Sequence, residues 1–489
     1  MMNAEPGVSM ATQTSAAERE AIVPPSPYHP ARAVGVSFSM ARPAFFTESD
    51  TPSAFLERCL HTITEREPAV RAWVVLDVIG AREAARLATL RYRAGRPLSR
   101  IDGMPIGVKD LIATKTMATE MGCQAFTGYR PDRDAPVVRA LREAGAIILG
   151  KTVTAELGMN EPGPTVNPFN YSHTPGGSSS GSAAAVGAGM VPAALGTQVG
   201  GSIIRPSSFC ATFGFKPTLG ALNRESTLGL SQEVYGVHAG CLEDMWKVAA
   251  EIASRTGGDP GYPGLYGEVE PPAPLKPQRV VVLETPAWRR LDTASSMAFE
   301  RVVKQLAAHD IEVIRWGDDQ RVEAFEACMA DAKEITDQIN SYELWRSVRH
   351  LFERQSDKFS ERLRVRFEKA KNISHDEYRD LLKRRAAARA QHAQLAAVAD
   401  VVLTLSSRGP APRWSGDTPG QPLNPTPTGD SSFNVPASLL GAPAISIPIM
   451  AVDGLPLGVQ IIGQQHEDAK LCAIAGWLKE TISPVAVQS

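Results

Sequence analysis

Three short segments of this sequence hold residues capable of covalent chemistry. The first, Gly103-Met104-Pro105-Ile106-Gly107-Val108-Lys109-Asp110, is a brief apolar strand that delivers a lysine to its end. The second, Thr174-Pro175-Gly176-Gly177-Ser178-Ser179-Ser180-Gly181-Ser182, is a serine cluster framed by glycines. The third, Gly196-Thr197-Gln198-Val199-Gly200-Gly201-Ser202-Ile203-Ile204-Arg205-Pro206, sets a serine behind two glycines. A serine hydroxyl is a poor nucleophile at neutral pH, so a base must take its proton as it attacks. His173 is the one histidine near these segments, but a lysine can serve if it is held neutral. Burial at the end of an apolar strand disfavours the ammonium form and lowers the lysine pKa.

Taken together, the segments resemble the amidase signature family. The likeness runs from roughly Glu48 to Val459-Gln460-Ile461-Ile462-Gly463. It includes Phe213-Gly214-Phe215-Lys216-Pro217-Thr218 and Gly454-Leu455-Pro456-Leu457-Gly458, in the family's order. The resemblance implies a catalytic trio: Ser202 as nucleophile, Ser178 as proton relay behind a cis peptide bond with Gly177, and Lys109 as general base. It further implies an oxyanion hole from the main-chain N–H groups of Val199, Gly200, Gly201 and Ser202, which the two glycines let turn inward. The implied reaction acylates Ser202, releases ammonia or an amine, and then hydrolyses the acyl-enzyme. A carboxamide, anilide or carbamate would be the substrate, water the second reactant, and neither a metal nor an organic cofactor would take part. An amidotransferase subunit, passing ammonia to an acylated tRNA within a complex, is the alternative that the same resemblance allows.

Two positions depart from the commonest family pattern. Many members carry Asp where this chain has Gln198, and Arg two residues after the nucleophile, where this chain has Ile204. Arg205 follows instead, and a structural salt bridge is its expected role rather than substrate contact. Residues 158–174, with Glu156, Asn160 and Asn167-Pro168-Phe169-Asn170 in and beside them, form a loop that in the family approaches the active site.

Two competing motifs are weaker. Gly145-Ala146-Ile147-Ile148-Leu149-Gly150-Lys151-Thr152 fits the phosphate-loop pattern, yet its interior reads as an apolar strand preceded by a helix, whereas a phosphate loop follows a strand and opens a helix. Gly177-Ser178-Ser179-Ser180-Gly181 fits a nucleophile elbow with Ser179 at its centre. His238, His350, His375, His392 and His466 could supply a partner, but Thr174-Pro175-Gly176 does not readily continue the strand that an elbow needs.

Elements to position these residues can be read around them. Residues 53–93 show helical periodicity interrupted by the strand Ala72-Trp73-Val74-Val75-Leu76, and a helix from Asp134 gives way at Gly145 to the strand Ala146-Ile147-Ile148-Leu149. Alternation resumes at Val280-Val281-Val282-Leu283, with a helix over 296–308 and the strand Ile311-Glu312-Val313-Ile314. Charged helices over 322–398 form a lobe across the sheet. Strands at Val401-Val402-Leu403, Ala444-Ile445-Ser446-Ile447 and Val459-Gln460-Ile461-Ile462 precede a terminal helix over 468–481. The predicted fold is a single α/β/α domain, residues 36–489, with a large mixed twisted sheet covered by helices on both faces and its core motifs at 103–218. A proline-rich arm, residues 1–35, precedes it.

Composition narrows the remaining choices. The 489 residues are 43% hydrophobic and 21% charged, with a net charge of −2, so no basic field favours nucleic acid or an anionic membrane. The basic stretch over 346–389 alternates with Glu353, Asp357, Glu361 and Glu368, as a solvated helix face does. Six scattered cysteines, Cys59, Cys123, Cys210, Cys241, Cys328 and Cys472, suggest neither a zinc site nor a disulfide framework. With no secretory signal or membrane span apparent, a cytoplasmic location is expected. Self-association into a homodimer is left open.

Overall fold

The structure is a computed structural model that describes residues 27–32, 35–225 and 228–489. Most of the predicted N-terminal arm lies outside the described residues. Within it, Tyr28 is buried, its N–H donating to Gly454 O and its hydroxyl to Pro448 O, each at 2.7 Å.

In chain order, α1 (Phe38–Phe46), α2 (Pro52–Val70), β1 (Trp73–Leu76) and α3 (Val78–Arg93) lead to β2 (Pro105–Lys109). Next come α4 (Pro136–Glu143), β3 (Ile147–Thr152), α5 (Ser180–Gly187), β4 (Ala193–Gln198), α6 (Ile204–Phe209), β5 (Phe213–Lys216), β6 (Val234–Ala239) and α7 (Leu242–Thr256). The second half runs β7 (Arg279–Val282), α8 (Thr293–Ala308), β8 (Glu312–Ile314), then four lobe helices: α9 (Gln320–Met329), α10 (Ala332–Arg354), α11 (Glu361–Ala370) and α12 (His375–Gln394). It closes with β9 (Val401–Leu405), α13 (Val435–Leu440), β10 (Ala444–Val452), β11 (Leu455–Ile462), α14 (Asp468–Thr481) and β12 (Val485–Val487). Local chemistry starts these helices where they begin. Thr51 accepts from the Ala54 N–H with Pro52 in the first turn of α2, and Ser374 with Glu377 forms a capping box for α12.

The twelve strands of the described residues form one mixed sheet in the order β1-β3-β2-β4-β6-β5-β10-β11-β9-β7-β8, with β12 added beside β10. The expected α/β/α architecture is therefore present. Side chains alternate across the sheet as the pleat requires. Val280 and Val282 face one apolar layer, with Trp246 and Phe299; Val281 faces the other, with Phe325 and Ile335. The lobe has its own aromatic core of Trp345, Phe352, Phe359 and Phe367, and it reaches back to Leu111, Leu157 and Met159 beside β2 and β3.

Strands β5 and β6 are among the elements that go beyond the sequence reading. β6 is buried along its whole length, but Gly236 and His238 interrupt its apolar run and blur the strand signal. The strand at 146–149 continues to Thr152, which takes Lys151 into the sheet. There Lys151 pairs with Asp110 at 2.9 Å and donates to Thr119 Oγ1 at 2.6 Å. The phosphate-loop reading thus fails, because Gly150, Lys151 and Thr152 are strand residues in register with β1 and β2.

Candidate active site

Strands β2 and β4 run parallel, with Ile106 opposite Ala193 and Val108 opposite Leu195. Their C-terminal ends therefore emerge at one edge of the sheet, where open α/β folds place ligands. Lys109 ends β2, and Thr197 and Gln198 end β4. The Lys109 Nζ lies 2.7 Å from Ser178 Oγ, 2.8 Å from Thr197 Oγ1 and 3.4 Å from the Thr197 carbonyl. Fully buried and without an ion pair among the described residues, this lysine has its pKa brought down to about 7 by desolvation, with the Glu233 carboxylate pulling weakly the other way.

Ser178 is fixed by main chain on both sides. The Gly177–Ser178 peptide is cis, and the Ser178 carbonyl accepts from the Ala155 N–H at 3.0 Å. Two residues on, α5 packs so closely on the strands that a methyl at Gly181 would sit 2.2 Å from Ala72 O and 2.4 Å from Val153 N. Glycine is required there by contact, and that contact holds the serine cluster against the lysine.

Ser202 lies beyond the end of β4, just ahead of α6. It lines a cavity of about 50 Å³ together with Gly158, Asn160, Arg205, Asn340 and Arg366. Gly158 abuts Ser178, since a methyl there would be 3.6 Å from its Oγ. The structure thus joins Lys109 to Ser178 directly. Ser202 is tied to the serine cluster through main chain, its carbonyl accepting from the Ser179 N–H at 3.4 Å; among the described residues no hydrogen bond links the Ser178 and Ser202 hydroxyls.

Carbonyl orientation around Ser202 follows a pattern. Asn340 Nδ2 donates to Val199 O at 3.4 Å, the Ser438 hydroxyl to Gly200 O at 2.9 Å, and the Arg205 N–H to Gly201 O at 3.0 Å. In a trans peptide the next residue's N–H points opposite to the carbonyl. The N–H groups of Gly200, Gly201 and Ser202 therefore face away from these partners, and none of them, nor that of Val199, donates to an acceptor among the described residues.

Gln198 explains its own departure from the family pattern. Its Oε1 accepts from the N–H groups of Ile203 and Ile204, at 2.8 and 3.1 Å, and its Nε2 donates to Ser438 Oγ at 3.1 Å. An amide oxygen can satisfy the first turn of α6 as a carboxylate would, without bringing a charge. Among the described residues, Arg205 makes no salt bridge, contrary to its expected role. Its Nε and Nη2 donate instead to the Thr428 carbonyl at 2.8 Å and the Gly177 carbonyl at 2.7 Å, both neutral acceptors.

The remaining expectations divide. Gly158 and Asn160 do line the Ser202 cavity, whereas Asn167 is buried in bonds to the Thr174 and Phe209 carbonyls and Asn170 faces a separate groove. Ser179 exchanges its bonds with the Thr197 main chain, and among the described residues no hydrogen bond joins its hydroxyl to an imidazole, as an elbow nucleophile would require. Sequence reasoning missed Thr197, although it stands within the quoted third segment. It also missed Lys333, Asp337, Asn340 and Arg366, which the lobe brings to the cavity from more than a hundred residues away.

Comparison with known proteins decides the family. The profile of the amidase family matches residues 54–472. The chain belongs to the amidase family. Its chemistry is accordingly that of carbon–nitrogen bonds, and the resemblance read from the three segments is borne out. A glutamyl-tRNA(Gln) amidotransferase subunit of Chloroflexus aggregans is 39% identical over 228 residues, 45% of this chain and 47% of that protein, so the chain matches about half the length of this curated relative. A crystal structure of an amidase is 28% identical, covering 92% of this chain and all of that one, with a TM-score of 0.78. The corresponding glutamyl-tRNA(Gln) amidotransferase subunit from Thermotoga maritima is 25% identical over 88% of this chain and 92% of that one, with a TM-score of 0.70. The amidotransferase names run against the expectation that nucleic acid has no part. Among the described residues, no helix is long and apolar enough to cross a membrane, and all six cysteines are free.

Proposed function

We propose that this amidase-family chain hydrolyses a carboxamide, anilide or carbamate by itself, with Ser202 as nucleophile, Ser178 as proton relay and Lys109 as base. The observation that carries this reading is the buried Lys109 amine, with a pKa near neutrality, 2.7 Å from Ser178 Oγ beside the Ser202 cavity. In the neutral amine, Thr197 Oγ1 and the Thr197 carbonyl can take both N–H groups, which leaves the lone pair for the Ser178 hydroxyl. As Ser202 Oγ bonds to the substrate carbonyl carbon, its proton passes to Ser178 and the Ser178 proton to Lys109. The carbonyl oxygen becomes anionic opposite the undirected N–H groups of residues 199–202, a set whose members are each worth on the order of 3 kcal/mol in such sites. Collapse breaks the C–N bond, the proton returns through Ser178 to the departing nitrogen, and water releases the acyl group by the same route.

A second reading has specific support in the relatives' names: a subunit that frees ammonia from an amide for transfer to an acylated tRNA in a complex. Between the two solved structures, the higher TM-score of the amidase, 0.78 against 0.70, supports the free-standing enzyme, while the 39% identity over 228 residues supports the amidotransferase subunit. The test is to incubate the purified chain alone, without ATP, with a panel of amides, anilides and carbamates and to trap the acyl-enzyme for mass spectrometry. Turnover with an adduct on Ser202 supports hydrolysis. Activity that appears only with partner proteins and acylated tRNA establishes the second reading.

A further inference from the structure

Ser438 is buried behind the oxyanion candidates and belongs to none of the three chemical segments. Its hydroxyl accepts from Gln198 Nε2 at 3.1 Å and donates to Gly200 O at 2.9 Å. A hydroxyl carries one proton, and here the partners fix where it goes. Gln198 cannot turn its amide around, because its Oε1 already accepts from the Ile203 and Ile204 N–H groups. Its NH2 is therefore the end presented to Ser438, whose own proton is left for Gly200 O. The result is a directed relay from the first turn of α6, through two side chains, to one main-chain carbonyl.

Packing does little to hold that carbonyl. A methyl built at Gly200 would meet only Val435 Cγ1, at 3.8 Å, whereas at Gly201 it would sit 2.6 Å from Arg205 Nη1 and 2.7 Å from Asn434 Cβ. Gly201 is wedged and Gly200 is not. The neighbouring carbonyls are held in other ways. Gly201 O accepts from the Arg205 N–H, within the start of α6, and Val199 O accepts two long bonds, 3.4 Å from Asn340 Nδ2 and 3.5 Å from Gln232 Nε2. The 200–201 peptide is a rigid plate between two glycines, which offer little steric resistance to its rotation. Half a turn would take the Gly201 N–H out of the cavity and bring Gly200 O in, placing a negative dipole where the tetrahedral oxygen gathers charge. Ser438 can resist that turn because α13 is itself anchored, with Ala437, Leu439 and Leu440 packed in one layer with Ile335 and Ile339 of the lobe.

We propose that Ser438 is a positioning residue for the oxyanion site: its hydroxyl, aimed by Gln198, keeps the Gly200–Gly201 peptide turned so that the Gly201 N–H faces the developing charge. This rests on the reading of Ser202 as nucleophile above. Ser438 touches neither the substrate nor the reacting trio, so its contribution falls on the rate of the chemical step and not on binding or on the titration of Lys109.

The experiment uses phenylmethanesulfonyl fluoride as probe. Ser202 Oγ bonds to its sulfur, the S–F bond breaks, and fluoride leaves while the Ser202 proton passes through Ser178 to Lys109; a sulfonyl oxygen gains charge before the main-chain donors. Mass spectrometry assigns the adduct, and the rate against reagent concentration separates kinact from KI. Ser438→Ala should lower kinact about 10- to 100-fold, short of the roughly 100- to 1000-fold that marks outright loss of one donor. KI and the pH midpoint of kinact should stay as in wild type. Ser438→Thr, which keeps the hydroxyl, should recover part of kinact. Ser438→Cys, whose thiol is a weak donor of nearly the same shape, should lower kinact with packing kept, and it makes the same test if the alanine variant does not fold. A lower unfolding midpoint with wild-type kinact shows a role in packing alone and overturns the inference, as does a loss that appears in KI instead. Wild type that is not labelled at Ser202 defeats the nucleophile reading and the inference with it, whereas labelled wild type with kinact unchanged in the variants defeats the inference alone.

Discussion

Replacing Lys109 by methionine should abolish activity and yet stabilise the fold, a pairing that distinguishes a buried functional charge from a core residue. Burial brings this lysine from an ordinary 10.5 down to about 7. At pH 7 an unfolded chain carries the proton almost fully and the folded chain about half the time, so burial of this one group costs about 4 kcal/mol. Methionine fills similar space and removes that cost. Against the gain stand the hydroxyls of Ser178 and Thr197, each of which loses its partner at 2.7 or 2.8 Å and costs about 1 kcal/mol or more. The net expectation is a gain of about 1–2 kcal/mol at pH 7.

Because the folded pKa lies below the unfolded one, the unfolded state binds more protons between about pH 7 and 10.5, and wild-type stability rises with pH across that window. Lys216, also buried and brought down to about 7, adds a parallel rise in both proteins. The difference between them isolates Lys109. Urea unfolding at pH 7 and pH 9.5 should show the variant ahead at the lower pH and its lead lost or reversed at the higher. A variant less stable than wild type at pH 7, or a difference that does not change with pH, would refute a lysine held near neutrality by desolvation.

Three further outcomes follow from the same geometry. Ser202→Ala should remove turnover, with unfolding midpoint within about 1 °C of wild type by calorimetry, because the side chain makes no hydrogen bond among the described residues. The pH profile of kcat/KM should climb tenfold per unit below pH 7 and level above it, and Glu233→Gln should move that limb to lower pH by a few tenths of a unit or more, since the carboxylate it removes favours the ammonium. Gln198→Ala leaves the Ile203 and Ile204 N–H groups without their acceptor, and denaturant titration should show a loss of about 1–3 kcal/mol.

Element types were legible where apolar periodicity was strong. The alternation over 53–93, the strand pair at 280–283 and 311–314, and the terminal helix over 468–481 match α2 to α3, β7, β8 and α14. β6 escaped because glycine and histidine sit in its buried run, and a strand bonded on both sides to β4 and β5 is stabilised by its neighbours rather than by its own side chains. The role expected of Arg205 failed for a related reason. A carboxylate partner could be guessed from its charge, but the Thr428 and Gly177 carbonyls that accept its hydrogen bonds are main-chain groups that any residue type would present.

By itself the sequence determined the family and the candidate reacting groups, because glycine-framed serines and a strand-end lysine are encoded locally, in runs of about ten residues. Tertiary structure alone decided what surrounds them. It set Lys109 against Thr197 through the parallel register of β2 and β4, and it lowered Asn340 and Arg366 from the lobe onto the Ser202 cavity. Desolvation and cavity charge are sums over everything nearby in space, and most of those neighbours are remote along the chain.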